Sequence, residues 1–206
     1  MKMLLTGFGT FPGIPVNRSQ QLIDSLIQVS SFGDVDLQVC LLPTEYSAAS
    51  ELIESRLATS RPDICLCTGV APIDQLRLET TARNAHSEVA APDAIGEIWH
   101  GPVTALGKPK YISSFPWPDI SAVLEQHAFR VSVSNDAGGY VCNHVFYRAC
   151  QQIERLGIGT ACGFLHIPSI LDESSDSWLS IGRLTKAIEL IASTFAKGNR
   201  SVAPCS

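Results

Sequence analysis

Three absences narrow the field before any motif is read. No stretch approaches the roughly 18 consecutive apolar residues that a membrane span requires. The apolar opening Met1 to Leu5 breaks at once into Thr6-Gly7, too short for a secretory leader. No membrane association is expected. Lys and Arg number 15 against 20 Asp and Glu, for a formal net charge of −5. With no basic cluster, the electrostatic footprint of nucleic-acid binding is missing. Paired zinc-ligand spacing is also absent, although there are seven cysteines. An odd number without a framework points to free thiols in a reducing compartment, which predicts a cytoplasmic protein. No repeat, low-complexity tract or linker divides the chain, so residues 1–206 are read as a single domain.

What is present alternates. Apolar runs at Met1 to Leu5, Val35 to Leu42 and Asp63 to Gly69 predict strands, each ending in a Gly or Pro-Thr turn. Between them, Leu22, Ile23, Leu26 and Ile27, then Leu52, Ile53 and Leu57, recur at helical spacing within Ser19 to Val29 and Ala48 to Leu57. Asn17 is a natural N-cap for the first helix. A β-α-β-α-β order argues for a mostly parallel sheet covered on both faces, with ligands collecting beyond the carboxyl ends of its strands. Further on, Gln75 to Thr81 predicts a strand, and Arg83 to Lys110 a long irregular segment. Ile120 to His127 predicts a short helix, Thr160 to His166 a strand, 169–179 a polar loop, and Leu179 to Phe195 a last helix before a frayed tail. The loop Thr6 to Gly13 lacks the third glycine of a dinucleotide fingerprint. Its Phe8 and Phe11 suit the wall of an apolar pocket, or simply core.

The chemistry concentrates at Ser134-Asn-Asp-Ala-Gly-Gly-Tyr-Val-Cys142-Asn-His144. A β-branched run enters a glycine turn, and helix formers follow from Val141 to Leu156. That order places Cys142 in the first turn of a helix, where unpaired N–H groups and the macrodipole favour a thiolate. A nucleophilic cysteine needs a base and a group to orient the base. His166, at the carboxyl end of a predicted strand, is the candidate base, and Glu79, in or beside a predicted inner strand, the orienting carboxylate. His144, two residues on from Cys142, faces away around the helix. His127 belongs to a solvated helix, and position alone gives His86 and His100 no role. Cys65 and Cys67 share one face of a strand and are read as packing, because the nearby sequence offers no further metal ligand.

These residues also carry a family resemblance. Gly-Gly-Tyr140-Val141-Cys142-Asn143-His144 resembles the nucleophile motif of pyroglutamyl peptidase I, the pyrrolidone-carboxylate peptidases. In order with it, Thr6-Gly7-Phe8 to Gly13 and Asn17-x-Ser19 resemble that family's amino-terminal loop. Glu79 to Asn84 resembles its glutamate segment, and Gly163-Phe-Leu-His166-Ile-Pro168 its histidine strand. The resemblance runs from about residue 2 to 195. It implies a three-layer α/β/α sandwich around a mixed, mostly parallel twisted sheet, no metal or organic cofactor, and a homo-oligomer. It also implies a cysteine peptidase that removes N-terminal 5-oxoproline (pyroglutamate) from peptides. Cys142 would be the nucleophile, His166 the general acid/base and Glu79 its orienting group, with Phe8, Phe11, Tyr140 and Val141 lining the lactam pocket. The family's Asp-Ala-Arg-Ile-Pro-Asp is replaced by Ser87-Glu-Val-Ala-Ala-Pro-Asp93, without its arginine, although Arg77 and Arg83 flank the segment. Pro12 and Arg18 replace a family glycine and proline. Two other readings remain open: a thiol amidohydrolase for another small cyclic amide or blocked peptide, and a non-catalytic relative acting in binding.

Overall fold

The computed structural model describes the chain apart from residues 12, 14, 90, 170–179 and 199–203. Its strands are β1 (Lys2–Phe8), β2 (Ser31–Phe32), β3 (Val35–Leu42), β4 (Ile64–Ala71), β5 (Leu76–Glu79), β6 (Thr81–Arg83), β7 (Lys110–Ile112), β8 (Val131–Ser134) and β9 (Ala161–Pro168). Seven form one sheet in the order β2-β3-β1-β4-β9-β5-β8, while β6 and β7 make a separate antiparallel ribbon. Pairing is parallel between β1 and both β3 and β4, between β4 and β9, and between β5 and β8. It is antiparallel for β2–β3 and β5–β9. A central parallel strand is apolar on both faces because helices cover both, and every residue of β9 is buried.

Helices α1 (Arg18–Leu26), α3 (Trp117–Gln126) and α5 (Ile181–Gly198) pack on one face through Leu22, Ile23, Ile120, Leu124 and Ile188. Helices α2 (Tyr46–Ser60) and α4 (Val141–Leu156) cover the other through Ile53, Leu57, Val145, Phe146 and Ile153. The period of two along β1 divides its side chains between these cores. Met3 and Leu5 enter the first, Leu4 the second. Each fully buried side chain of this kind contributes about 1.5–3 kcal/mol. The three-layer arrangement is the one expected.

The departures have local causes. β1 runs on to Phe8 because Thr6, Gly7 and Phe8 keep pairing with Cys40, Leu41 and Leu42. α3 begins at Trp117, with Pro118 in the first turn, where its missing N–H costs nothing. β2, β6 and β7 are too short to print a period on the sequence. Asn17 caps α1, accepting from Ser19 N at 3.0 Å. Pro12, most of the 169–179 loop and residues 199–203 lie outside the described residues. Beyond them the expected fraying is not seen, since Cys205 is buried and Ser206 pairs with Ile112.

Candidate active site

Cys142 is the second residue of α4, after the extended Tyr140 at the N-cap. The first intrahelical bond runs from His144 N to Tyr140 O (3.1 Å), so the Cys142 N–H precedes the helical ladder and points out of its start. The turn before it must be glycine. A Cβ on Gly139 would stand 2.2 Å from Ser87 N, which donates to Gly139 O at 3.0 Å. Asn143, which sequence reasoning passed over, is fully buried and ties the start of α4 to β6. It donates to Arg83 O and Ala85 O, both at 2.9 Å, and accepts from Arg83 N at 2.8 Å.

The thiol rests over Gly69 of β4, where an added Cβ would lie 2.7 Å from Cys142 Sγ and 3.0 Å from the Phe164 ring. Gly69 is the register partner of His166 on β9. Thiol and imidazole therefore share one face of the sheet at the carboxyl end of two parallel strands. Gly69→Ala is expected to displace the sulfur and lower kcat/KM by about 100-fold, since a shift near 1 Å costs that much. A folded Gly69→Ala protein with parental turnover would contradict this placement.

Glu79 and His166 meet diagonally across the antiparallel β5–β9 pair, where Glu79 registers with Phe164 and His166 with Arg77. The His166 Nδ1 and Glu79 Oε1 atoms are 2.7 Å apart, and both side chains are buried. With Nδ1–H given to the carboxylate, Nε2 is the ring atom left for chemistry. Arg77 Nε also donates to Glu79 Oε1 at 2.7 Å, and its Nη2 passes 3.3 Å from His166 Nδ1. Burial pushes the Glu79 carboxyl up, but the hydrogen bond and charge of His166, with help from Arg77, outweigh it and hold it below its ordinary value.

The thiol itself departs from expectation. Burial, with the Glu79 charge adding and Arg77 opposing, pushes Cys142 up to about 12. The helix start does not overcome the loss of water around a thiolate, so at neutral pH the resting sulfur carries its proton. Because only the thiolate reacts, alkylation of Cys142 by iodoacetamide should accelerate about tenfold per pH unit and still be rising at pH 10. A plateau near the unperturbed value of about 8.5 would contradict the burial argument.

Beside the sulfur opens a pocket lined by Phe8, Phe11, Tyr140, Val141, Asn17, Thr44, Val70 and Cys142. All four expected wall residues are there, and Phe8 serves the core as well. The Phe8–Phe11 segment is pinned from below. Ser19 Oγ accepts from Phe8 N at 2.9 Å, while Asn17 Nδ2 and Thr44 Oγ1 donate to Gly9 O at 2.8 and 2.9 Å. Tyr140 Oη donates to Pro92 O at 3.0 Å, tying this wall of the pocket to Pro92. The buried Asp93 joins the following turn to the start of α2, accepting from the backbone N–H of Tyr46, Ile95 and Glu97.

Other candidates fall elsewhere. Arg83 pairs with Asp136 on the surface. His127 is exposed at the end of α3. His144 faces away from Cys142, as expected, bonding Ser50 Oγ at 2.7 Å and His86 Nε2 at 3.0 Å. Burial depresses His144 to about 3. Cys65 and Cys67 are buried packing, but the expectation that no further ligand lies near them is corrected. Cys162 is the register partner of Cys65 on β9, and the sulfurs of Cys150, Cys162 and Cys205 lie within 4.8 Å of one another.

A family model described as pyroglutamyl peptidase matches residues 1–193. The chain belongs to the pyroglutamyl peptidase family. That family is one of cysteine-type peptidases. The chain is 29% identical over 195 residues to a pyrrolidone-carboxylate peptidase of Streptococcus pyogenes serotype M4, covering 92% of this chain and 89% of that protein. Among solved structures it resembles the pyroglutamyl peptidase I of Bacillus amyloliquefaciens, at 29% identity and a TM-score of 0.86 over 98% of both chains. It also resembles a mutant pyrrolidone carboxyl peptidase from the hyperthermophile Pyrococcus furiosus, at 25% identity and a TM-score of 0.86, over 97% of this chain and 100% of that one. Family membership and the α/β sandwich thus stand on the whole chain, not on one motif.

Proposed function

We propose that this protein removes N-terminal 5-oxoproline from peptides, with Cys142 as nucleophile, His166 as general acid/base and Glu79 as the positioning carboxylate. The observation that carries the reading is the thiol held over Gly69, the register partner of the Glu79-bonded His166, at the mouth of an apolar pocket. The lactam ring has no ammonium, so an apolar pocket admits it. An ordinary amino terminus would have to shed water from its charge at a cost of several kcal/mol.

Because the resting thiol is protonated, proton transfer accompanies attack. His166 Nε2 takes the Sγ proton as sulfur bonds the 5-oxoprolyl carbonyl carbon, and Glu79 offsets the imidazolium charge. The Cys142 N–H faces the developing oxyanion. The imidazolium then protonates the departing peptide amine, and water releases 5-oxoproline from the thioester with His166 again as base. No arginine stands in 87–93. The nearby guanidinium of Arg77 acts instead on the Glu79 and His166 side, where its charge favours the thiolate.

The test is release of a fluorescent amine from a 5-oxoprolyl amide, beside the prolyl and glutamyl amides, with and without iodoacetamide. Thiol-dependent cleavage of the 5-oxoprolyl amide alone is expected. Cleavage of other small lactam amides in its place would favour the amidohydrolase reading, which the altered 87–93 sequence supports. Binding without any turnover would favour the non-catalytic one.

On the family resemblance we also read the chain as a single domain that self-associates in the cytoplasm. Sedimentation at micromolar concentration tests the association. Among the described residues no helix is long and apolar enough to cross a membrane.

A further inference from the structure

Five of the seven cysteines gather beneath α4, in a cluster the candidate active site does not use. Cys65 and Cys67 come from β4, Cys162 from β9, Cys150 from the middle of α4, and Cys205 from the segment beyond α5. Packing alone does not require sulfur at five neighbouring positions reached from four parts of the chain. One pair stands out. Cys150 Sγ and Cys205 Sγ are 2.7 Å apart, well inside the separation of two non-bonded sulfurs and short of the roughly 2.05 Å of a disulfide. Cys205 is brought there by a backbone pair with β7, Ile112 N to Ser206 O at 2.8 Å and Ser206 N to Ile112 O at 3.4 Å. Its sulfur also lies 3.6 Å from Cys162 O.

We propose that Cys150 and Cys205 form a reversible disulfide when the protein meets a peroxide, cross-linking residues 204–206 to the helix that carries Cys142. Cys205 is the entry point, being the cluster member with measurable exposure at 5%, whereas Cys65, Cys67, Cys150 and Cys162 show none. Hydrogen peroxide is small and uncharged enough to reach it. The Cys205 sulfur takes one peroxide oxygen, the O–O bond breaks, and hydroxide leaves to pick up the thiol proton as water. The Cys150 sulfur then displaces the sulfenic hydroxyl, which leaves with the Cys150 proton as a second water. Two thiols are oxidised by two electrons in all, and one peroxide is reduced to two waters. The link spans 55 residues, a separation at which chain-entropy stabilisation is substantial. It would hold down the segment that closes the second core beside β7.

The experiment uses the full chain with Cys142→Ser, so that the site thiol does not react. Treatment with hydrogen peroxide, followed by thiol counting under denaturing, non-reducing conditions, should consume two of the six thiols left of the original seven. Peptide mapping should join Cys150 to Cys205. The thermal midpoint should rise by about 5–10 °C and fall back on adding dithiothreitol. Adding Cys205→Ser or, independently, Cys150→Ala should abolish both responses. The proposal is overturned if all six thiols survive, if the mapped link runs through Cys65, Cys67 or Cys162, or if the midpoint rises equally in the two variants. It is equally overturned if the purified protein holds stoichiometric zinc or copper that shields the cluster, which would make these thiols metal ligands.

Discussion

Cys142→Ser is expected to lower kcat/KM on a 5-oxoprolyl amide by about 10³-fold or more, with the thermal midpoint nearly unchanged. The two halves of that expectation have separate causes. The hydroxyl keeps its proton far more tightly than the thiol, and His166 must then remove it without help from sulfur's intrinsic nucleophilicity. Serine is smaller than cysteine, and its oxygen would sit over Gly69 without strain where Sγ now lies. Residues acting as one unit are not additive, so Cys142→Ser combined with His166→Ala should be scarcely worse than either alone. Fully additive losses would mean that the two side chains do not share a step. Steady-state kinetics on the three variants, with circular dichroism for the fold, decides it.

Glu79→Gln is expected to lower turnover by about 10²–10⁴-fold, the range for removing a carboxylate that orients a catalytic imidazole. Glutamine preserves the shape but offers His166 Nδ1 a neutral partner and leaves Arg77 without its anion. The same substitution should move Cys142 the other way. The Glu79 charge is one of the causes that raise that thiol, so its removal lowers the thiol pKa and speeds alkylation at a given pH. Slower turnover with faster alkylation separates an electrostatic role from simple damage to the fold, which would not produce that split. If alkylation also slows, Glu79 is not acting on the thiol through its charge.

Much of this site was legible because its signals are local. The turn before Cys142 reads directly as strand, glycine and helix start, and α4 runs from Val141 to Leu156 as the pattern predicts. His166 was reachable because parallel strands present their carboxyl ends on one edge, and Glu79 because it is an acidic residue in or beside a predicted inner strand. What stayed hidden depends on distance in sequence. Arg77 joins the site only because β5 runs antiparallel to β9 and places it opposite His166, a reversal the β-α-β rhythm does not announce. The need for glycine at 69 appears only once the sulfur from α4 is seen above it. The cysteine cluster likewise needs Cys205 to return from beyond α5. The thiolate expectation failed for a different reason. The helix start was readable, but the burial that outweighs it belongs to the assembled core.

The reading is tested most directly by 5-oxoprolinal, the aldehyde of the acyl group to be transferred. It can add reversibly to Cys142 only if its ring occupies the pocket of Phe8, Phe11, Tyr140 and Val141. The account predicts that it protects Cys142 from iodoacetamide at low concentration, that prolinal does not, and that protection disappears in Cys142→Ser. Unchanged alkylation in saturating 5-oxoprolinal, or equal protection by prolinal, would contradict it.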